Sequence, residues 1–342
     1  MIRFECDYIT GAHPKVLQAL VDSNLEPHPG YGEDEYCARA AQLIRELCQA
    51  PEADVHFLVG GTQTNTTVIA SALRPHQGVI STELGHIALH ETGAIESTGH
   101  KVLTVPTQDG KLTAQQVEQI CREHLEDEAM EHKVQPGMVY LSHPTELGTV
   151  YTRAELEAIS QTAHRHGLLL YVDGARLAYG LAASDLTVPD LARLCDVFYL
   201  GGTKAGTLFG EAVVLVNPQL QRNFRNMMKQ RGAMLAKGRL LGVQFEALLS
   251  DGLYLEIGRQ AVAQAIRIQQ AVLEKGWSLL VPSPTNQQFP ILPDRALEGL
   301  SRRYVLSPWG RVDEGHSAAR ICTSWSTRKE DVEALIRDIQ AL

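Results

Sequence analysis

Three short segments of the sequence combine residue types that could do chemistry. The first is Gly60-Gly61-Thr62-Gln63-Thr64-Asn65, directly after an apolar run and at the head of a helix-spaced one. Two glycines let backbone approach a ligand, and the free N–H groups and positive dipole end of a helix suit a phosphate. The segment is neither G-x-G-x-x-G nor G-x-x-x-x-G-K-[ST], so dinucleotide and P-loop readings lose support. In the second, Leu168-Leu169-Leu170-Tyr171-Val172-Asp173-Gly174-Ala175-Arg176, a carboxylate follows a buried run. Ligands of open α/β sheets sit just outside the carboxyl ends of the strands, so Asp173 is expected to point into such a site. The third, Phe198-Tyr199-Leu200-Gly201-Gly202-Thr203-Lys204, puts a lysine beyond the next strand end, one βαβ step from Asp173. Each has a plainer reading: a tight turn with a Thr cap, an acid that caps a helix or pairs with Arg176, and a solvated lysine. A lysine becomes a nucleophile when it is desolvated or set beside other cations.

Taken together, a phosphate-binding helix start, an acid on one strand end and a lysine on the next form the set that pyridoxal 5′-phosphate needs. The lysine forms the Schiff base, the acid keeps the pyridine nitrogen protonated, and the phosphate needs an anchor.

These residues must be positioned by alternating elements, and the pattern supplies them. Short β-rich runs at Ala53–Val59, Gly78–Thr82, Lys101–Val105, Met138–Ser142, Leu168–Val172, Val197–Leu200 and Ala212–Val216 alternate with helical stretches. Several are apolar on both faces, which predicts a seven-stranded, mostly parallel sheet with helices on both faces. Thr62–Leu73, Thr113–Leu125 and Thr152–His166 carry helix-spaced apolar residues and begin at Thr, a competent N-cap. Beyond about residue 218 long helical stretches, Pro218–Leu249 and Leu253–Lys275, precede candidate strands at Ser278–Val281, Gln288–Leu292 and Ala319–Thr323 and a last helix, Arg328–Ala341. We expect a large cofactor-binding domain over 1–250, N-terminal segment included, and a small α+β domain over 251–342.

With 342 residues, 44% hydrophobic and 21% charged, the chain has the composition of an ordinary globular protein. A net charge of −9 gives no footprint for the phosphate backbone of nucleic acid. The apolar runs are strand-sized, which argues against a membrane span. The N-terminus, Met1-Ile2-Arg3-Phe4-Glu5-Cys6-Asp7, does not resemble a secretory signal, so a cytoplasmic address is expected. Cysteines at 6, 37, 48, 121, 195 and 322 include no C-x-x-C pair, which argues for packed, reduced thiols and against structural zinc; no divalent-metal cluster is visible.

Over nearly its whole length the sequence resembles the fold-type I pyridoxal-phosphate enzymes, and within them the L-threonine aldolase and β-eliminating lyase group. The segments that carry the resemblance are Tyr31-Gly32-Glu33-Asp34, Gly61-Thr62-Gln63-Thr64-Asn65, Gly85-His86, Val172-Asp173-Gly174-Ala175-Arg176, the Lys204 turn and Ala319-Arg320-Ile321-Cys322-Thr323. The resemblance implies that Gly61 and Thr62 bind phosphate, His86 stacks on the cofactor ring, Asp173 pairs with the ring nitrogen and Lys204 holds the cofactor. It also implies that Arg176 and Arg320 bind the substrate carboxylate, a role suited to Arg's planar fork. By position, Lys229 resembles a residue that reaches a neighbouring subunit's phosphate, and Tyr31 one that lines the partner's site, so a homodimer or homotetramer is implied. The pattern departs in two places. Cys6-Asp7 stands where the aldolases usually carry a Ser that contacts the substrate, and Ser142-His143-Pro144-Thr145-Glu146 stands where they show Glu-Asn-Thr-His. For the loop histidine near the substrate hydroxyl, His132 and His143 are candidates by neighbourhood.

The implied reaction is retro-aldol cleavage of a β-hydroxy-α-amino acid, L-threonine or L-allo-threonine, to glycine and an aldehyde. His86 or a water is the candidate base for the β-hydroxyl proton. A β-eliminating lyase or an aminotransferase would use the same cofactor set and break a different bond at Cα. In a different class, a non-catalytic phosphate-ligand binding protein would use the Gly61 turn, with Asp173 and Lys204 as a structural ion pair.

Overall fold

The computed structural model describes residues 1–342. All seven expected strands of the large sheet form: β1 (Asp54–Leu58), β2 (Gln77–Thr82), β3 (Val102–Val105), β4 (Gln135–Ser142), β5 (Leu169–Asp173), β6 (Val197–Gly201) and β7 (Glu211–Leu215). Their spatial order is β1-β7-β6-β5-β4-β2-β3. Neighbours from β6 to β3 run parallel, and β7 is antiparallel to both β6 and β1. Alternation along the central strands explains the continuous apolar runs. Val139, Leu141, Leu170, Val172, Phe198 and Leu200 enter the core on one face, and Met138, Tyr140, Tyr171, Val197 and Tyr199 the core on the other. A sheet covered on both faces has no place for an exposed polar side.

The helices at Ala114–Leu125 and Arg153–Arg165 start as expected, with Thr113 and Thr152 closing capping boxes with Gln116 and Glu155. Thr62 does not cap. The helix begins at Gly61, and its N-cap is Gly60, which brings no side-chain acceptor. The region after 218 also differs from the expectation of one long helix. It breaks into Pro218–Gln221, Phe224–Gln230 and Arg239–Leu249. Asn223 and Gly232 sit at φ of 62° and 68°, and a left-handed residue ends a right-handed helix.

The helix Leu253–Glu274 is continuous and joins two cores. Tyr254, Ile257 and Ala261 pack with the large sheet, whereas Ile268, Ala271 and Val272 pack with the smaller layer. That layer is antiparallel, with His316–Cys322 central between Gln287–Gln288 and Pro290–Pro293, and Ser307–Arg311 paired along it. Ile2–Arg3 pairs with Tyr304–Val305, and Phe4 enters the same small core, so the N-terminal strand belongs spatially to the C-terminal layer. Neither short strand nor Ser307–Arg311, interrupted by Pro308 and Gly310, has a run long enough to read by alternation. No helix is long and apolar enough to cross a membrane.

Candidate active site

The carboxyl ends of β2, β4, β5 and β6 open onto one cavity of about 590 Å³, closed on the far side by the antiparallel layer. Its lining includes Gly61, Thr62, His86, Asp173, Arg176, Lys204 and Arg320, seven of the ten residues expected at the site. The helix start at Gly61 contributes N–H groups that no side chain caps, a standing site for an anion.

Asp173 ends β5, buried, and its carboxylate is held by four donors. Tyr199 Oη (2.5 Å) and the Ala175 N–H (3.0 Å) donate to Oδ1; Tyr140 Oη (2.6 Å) and Asn65 Nδ2 (3.1 Å) donate to Oδ2. Burial pushes the carboxyl up, but the charge of His86 and the donors from Tyr140, Tyr199 and Ala175 outweigh it and hold the group below its ordinary value. Register builds this arrangement. Tyr140 pairs with Tyr171 and Val172 with Phe198, which sets phenols from both neighbouring strands on the face of Asp173. Gly174 is needed beside them, since a Cβ there would run into the Tyr199 carbonyl.

The network continues outward. Asn65 Nδ2 also donates to Glu91 Oε1 (2.8 Å), Tyr171 Oη donates to Asn65 Oδ1 (2.6 Å), and His86 Nδ1 meets Glu91 Oε1 at 2.9 Å. A carboxylate only accepts, which assigns the proton to Nδ1. Burial pulls the imidazole down, yet the Glu91 bond and the charges of Glu146 and Asp173 prevail and raise its pKa.

Lys204 lies in the turn between β6 and β7, its Nζ 5.9 Å from the Tyr8 ring centroid. Tyr179 Oη donates to the Lys204 carbonyl (2.6 Å), and Glu211 fastens the same turn, accepting from Thr203 Oγ1 (2.8 Å) and the Gly202 N–H (3.1 Å).

Arg176 is buried and already engaged. Its Nε and Nη2 donate to Asp7 Oδ2 and Oδ1 at 2.7 and 3.1 Å, and Nη1 stands 4.0 Å from Glu146. The Asp7 carboxyl is pushed up by burial, but Arg176 and Lys204 more than offset this and hold it low. Arg320 keeps more of its fork free. Nη2 donates to the Glu5 carbonyl (2.9 Å), Nε is buried without a partner, and the guanidinium lies 5.3 Å from the Trp309 ring centroid.

Three expected residues stand outside this cavity. Cys6 is buried behind the lining, and it is Asp7 that reaches the arginine. Tyr31 and Lys229 lie together elsewhere on the chain, Nζ 4.6 Å from the ring centroid. Of the two candidate loop histidines, His132 lines a separate cleft along the β3 edge. His143 is buried, with Nε2 unpartnered and its pKa driven down to about 4 by burial. The second histidine in the cavity is His90, one helical turn after His86, their rings 5.6 Å apart. Asn65, Glu91, Tyr140, Tyr199 and Glu211 also belong to the site, and no motif assigned them a role. Asn65 and Tyr199 fall inside the Gly60 and Lys204 segments. The tyrosines recur two residues before the strand-end residues 142, 173 and 201, a spacing visible in the sequence but hidden in apolar runs.

The donor set fits pyridoxal 5′-phosphate: an uncapped helix start for a dianion, an anionic carboxylate fixed by four bonds for a protonated ring nitrogen, and a lysine in the same cavity.

The β-eliminating lyase family model matches residues 4–289. A solved threonine aldolase of Leishmania major is 45% identical, with a TM-score of 0.97 over 100% of this chain and 99% of that one. The low specificity L-threonine aldolase of Pseudomonas aeruginosa is 32% identical over 99% of this chain and 97% of its own length. An Exiguobacterium protein described as a possible aromatic amino acid β-eliminating lyase/threonine aldolase, at 18% identity, shares the fold, with a TM-score of 0.73.

Proposed function

The chain belongs to the β-eliminating lyase family, and on that premise we propose that it is a pyridoxal 5′-phosphate-dependent L-threonine aldolase, cleaving a β-hydroxy-α-amino acid to glycine and an aldehyde. The observation that carries the reading is Asp173, an anion fixed by four donors in the cavity that holds Lys204 and the bare helix start. The cofactor, when bound, supplies a carbonyl for amines and a ring that takes up the electron pair freed when Cα–Cβ breaks.

Gly61 and Thr62 hold the phosphate through main-chain N–H groups, and Lys204 Nζ is the amine that retains the cofactor. Asp173, held as an anion, would keep the proton on the ring nitrogen, which a cation or a neutral group there would not. His86 lines the cavity, its ring set by Glu91 through Nδ1. That leaves Nε2, or a water held by it, to take the β-hydroxyl proton. With two guanidinium nitrogens of Arg176 spent on Asp7, the substrate carboxylate falls chiefly to Arg320, whose unpartnered Nε and cavity position suit a carboxylate. Arg176 lines the same cavity and keeps only Nη1 free of Asp7. Tyr31 and Lys229, paired with each other and not among the lining of this chain's own cavity, serve a neighbouring copy in a homodimer or homotetramer.

The test is the visible spectrum of the purified protein with L-threonine, L-allo-threonine or glycine, with acetaldehyde followed in the same cuvette. A yellow band bleached by borohydride, with acetaldehyde release, is expected. The band without aldehyde would shift the reaction to β-elimination or transamination, and a protein that takes up no added cofactor would overturn the reading.

A further inference from the structure

Glu211 is a buried carboxyl to which the reaction as derived assigns nothing. It opens β7, paired with Gly201 on one side and Leu58 on the other, and is 3% exposed. It shares the cavity lining with Lys204 and Asp173. Both of its oxygens are turned back onto the lysine's own turn, Oε1 at Thr203 Oγ1 and Oε2 at the Gly202 N–H. The other groups around it are the charges of Lys204 and Asp173 and the phenols of Tyr171, Tyr199 and Tyr254.

The two buried carboxyls are unequal. Asp173 has four donors, whereas Glu211 has two and faces Asp173 as a like charge. Two carboxylates sharing one desolvated site do not both ionise easily, and the poorly solvated one keeps its proton. Burial pushes Glu211 up, and Thr203, Lys204 and the Gly202 N–H offset this only in part.

We propose that Glu211 is the positioning residue of Lys204: a neutral buried acid that fastens the lysine's turn and, on giving its proton to solvent, stabilises positive charge on the lysine nitrogen. The proposal rests on the reading above only in naming Lys204 as the cofactor's amine. The carboxylic acid loses one proton to bulk water as pH rises, and the resulting anion is compensated by Lys204 rather than by solvent. In the neutral acid the proton sits on Oε1 and is donated to Thr203 Oγ1, whose hydroxyl turns to the Gly210 carbonyl, while Oε2 accepts from the Gly202 N–H; at neutral pH a glutamine is therefore a near-isostere, able to make the same two bonds but unable to ionise.

Two measurements test it. In the cofactor-free protein, infrared spectra at neutral pH should show a carboxylic-acid carbonyl stretch that Glu211→Gln removes. Thr203→Val, which deletes a donor to the ionised form, should make that band persist to higher pH. In the cofactor-loaded protein, titration of the visible band should coincide for native and Glu211→Gln at neutral pH and separate on the alkaline side. The native midpoint should lie about one pH unit higher, because an anion in the same cavity as the lysine nitrogen favours its protonated form. An unchanged infrared band in Glu211→Gln, or titrations that coincide throughout, would overturn the proposal. The infrared arm reads Glu211 without cofactor, so a protein that shows the acid band but takes up no pyridoxal phosphate would count against the aldolase reading and not against this one.

Discussion

The two walls of the cavity are built on opposite principles. On the large-sheet wall, Asp173, Asn65 and Glu91 are buried and bonded to one another and to Tyr140, Tyr171 and Tyr199, so their geometry is set before anything binds. On the wall from the antiparallel layer, Arg320 makes one protein hydrogen bond, to the Glu5 carbonyl, and leaves Nε unpartnered. A wall whose central carboxylate is pinned by four donors suits a group that stays through every turnover, and one whose guanidinium keeps most of its donors free suits a group that arrives and leaves. The same contrast divides the helix starts. Thr113 and Thr152 close their own capping boxes, whereas the start at Gly61 keeps its N–H groups for a ligand.

Lys204→Ala should break the site most completely, lowering turnover at least about a thousandfold and abolishing the borohydride-sensitive band. A variant that kept a covalently bound cofactor would remove Lys204 from its role. Asp173→Asn comes next, with an expected loss of about a hundredfold or more in kcat. Because it unsettles a buried network, it should also cost about 1–3 kcal/mol in unfolding free energy. Unchanged turnover would mean that the Asp173 network is structural only.

Arg320→Ala should act on the other wall alone. KM for the amino acid should rise about tenfold to a hundredfold, the worth of a charge-assisted hydrogen bond, with little change in melting temperature. A loss confined to kcat would point away from the carboxylate role. Tyr140→Phe removes one of four donors to Asp173. The group is held low when folded, so what its charge contributes is present above the unfolded value and is lost as pH falls through the folded one. With a donor gone the folded value rises, and the acid limb of the rate profile should move to higher pH; an unmoved limb would show that the bond adds nothing. Thr113→Ala, far from the cavity, should cost about 1 kcal/mol of stability and leave kinetics unchanged.

What the amino-acid order determined by itself is the set of elements and the main anchors. Seven strands are legible because most of them are apolar on both faces. Asp173 and Lys204 are legible because each follows a strand end, where such sheets place their ligands. Less local features were not. The Gly60–Gly61 start looked like a Thr-capped one, because a missing cap bond is a matter of backbone position. The break at Asn223 depends on one left-handed residue that composition does not announce.

Tertiary structure alone decided which side chains were already spent. Arg176 and Arg320 are equivalent as residue types, yet a buried contact with Asp7, far off in sequence, occupies one fork and leaves the other open. Tyr140 and Tyr199 look like core aromatics until strand register turns their hydroxyls onto one carboxylate. His90, not His132 or His143, shares the cavity with His86, because chain neighbourhood says little about which loops meet at one end of a sheet. Local pattern sets what each segment becomes; long-range packing sets which polar groups remain unpaired, and those are the groups left to bind and react.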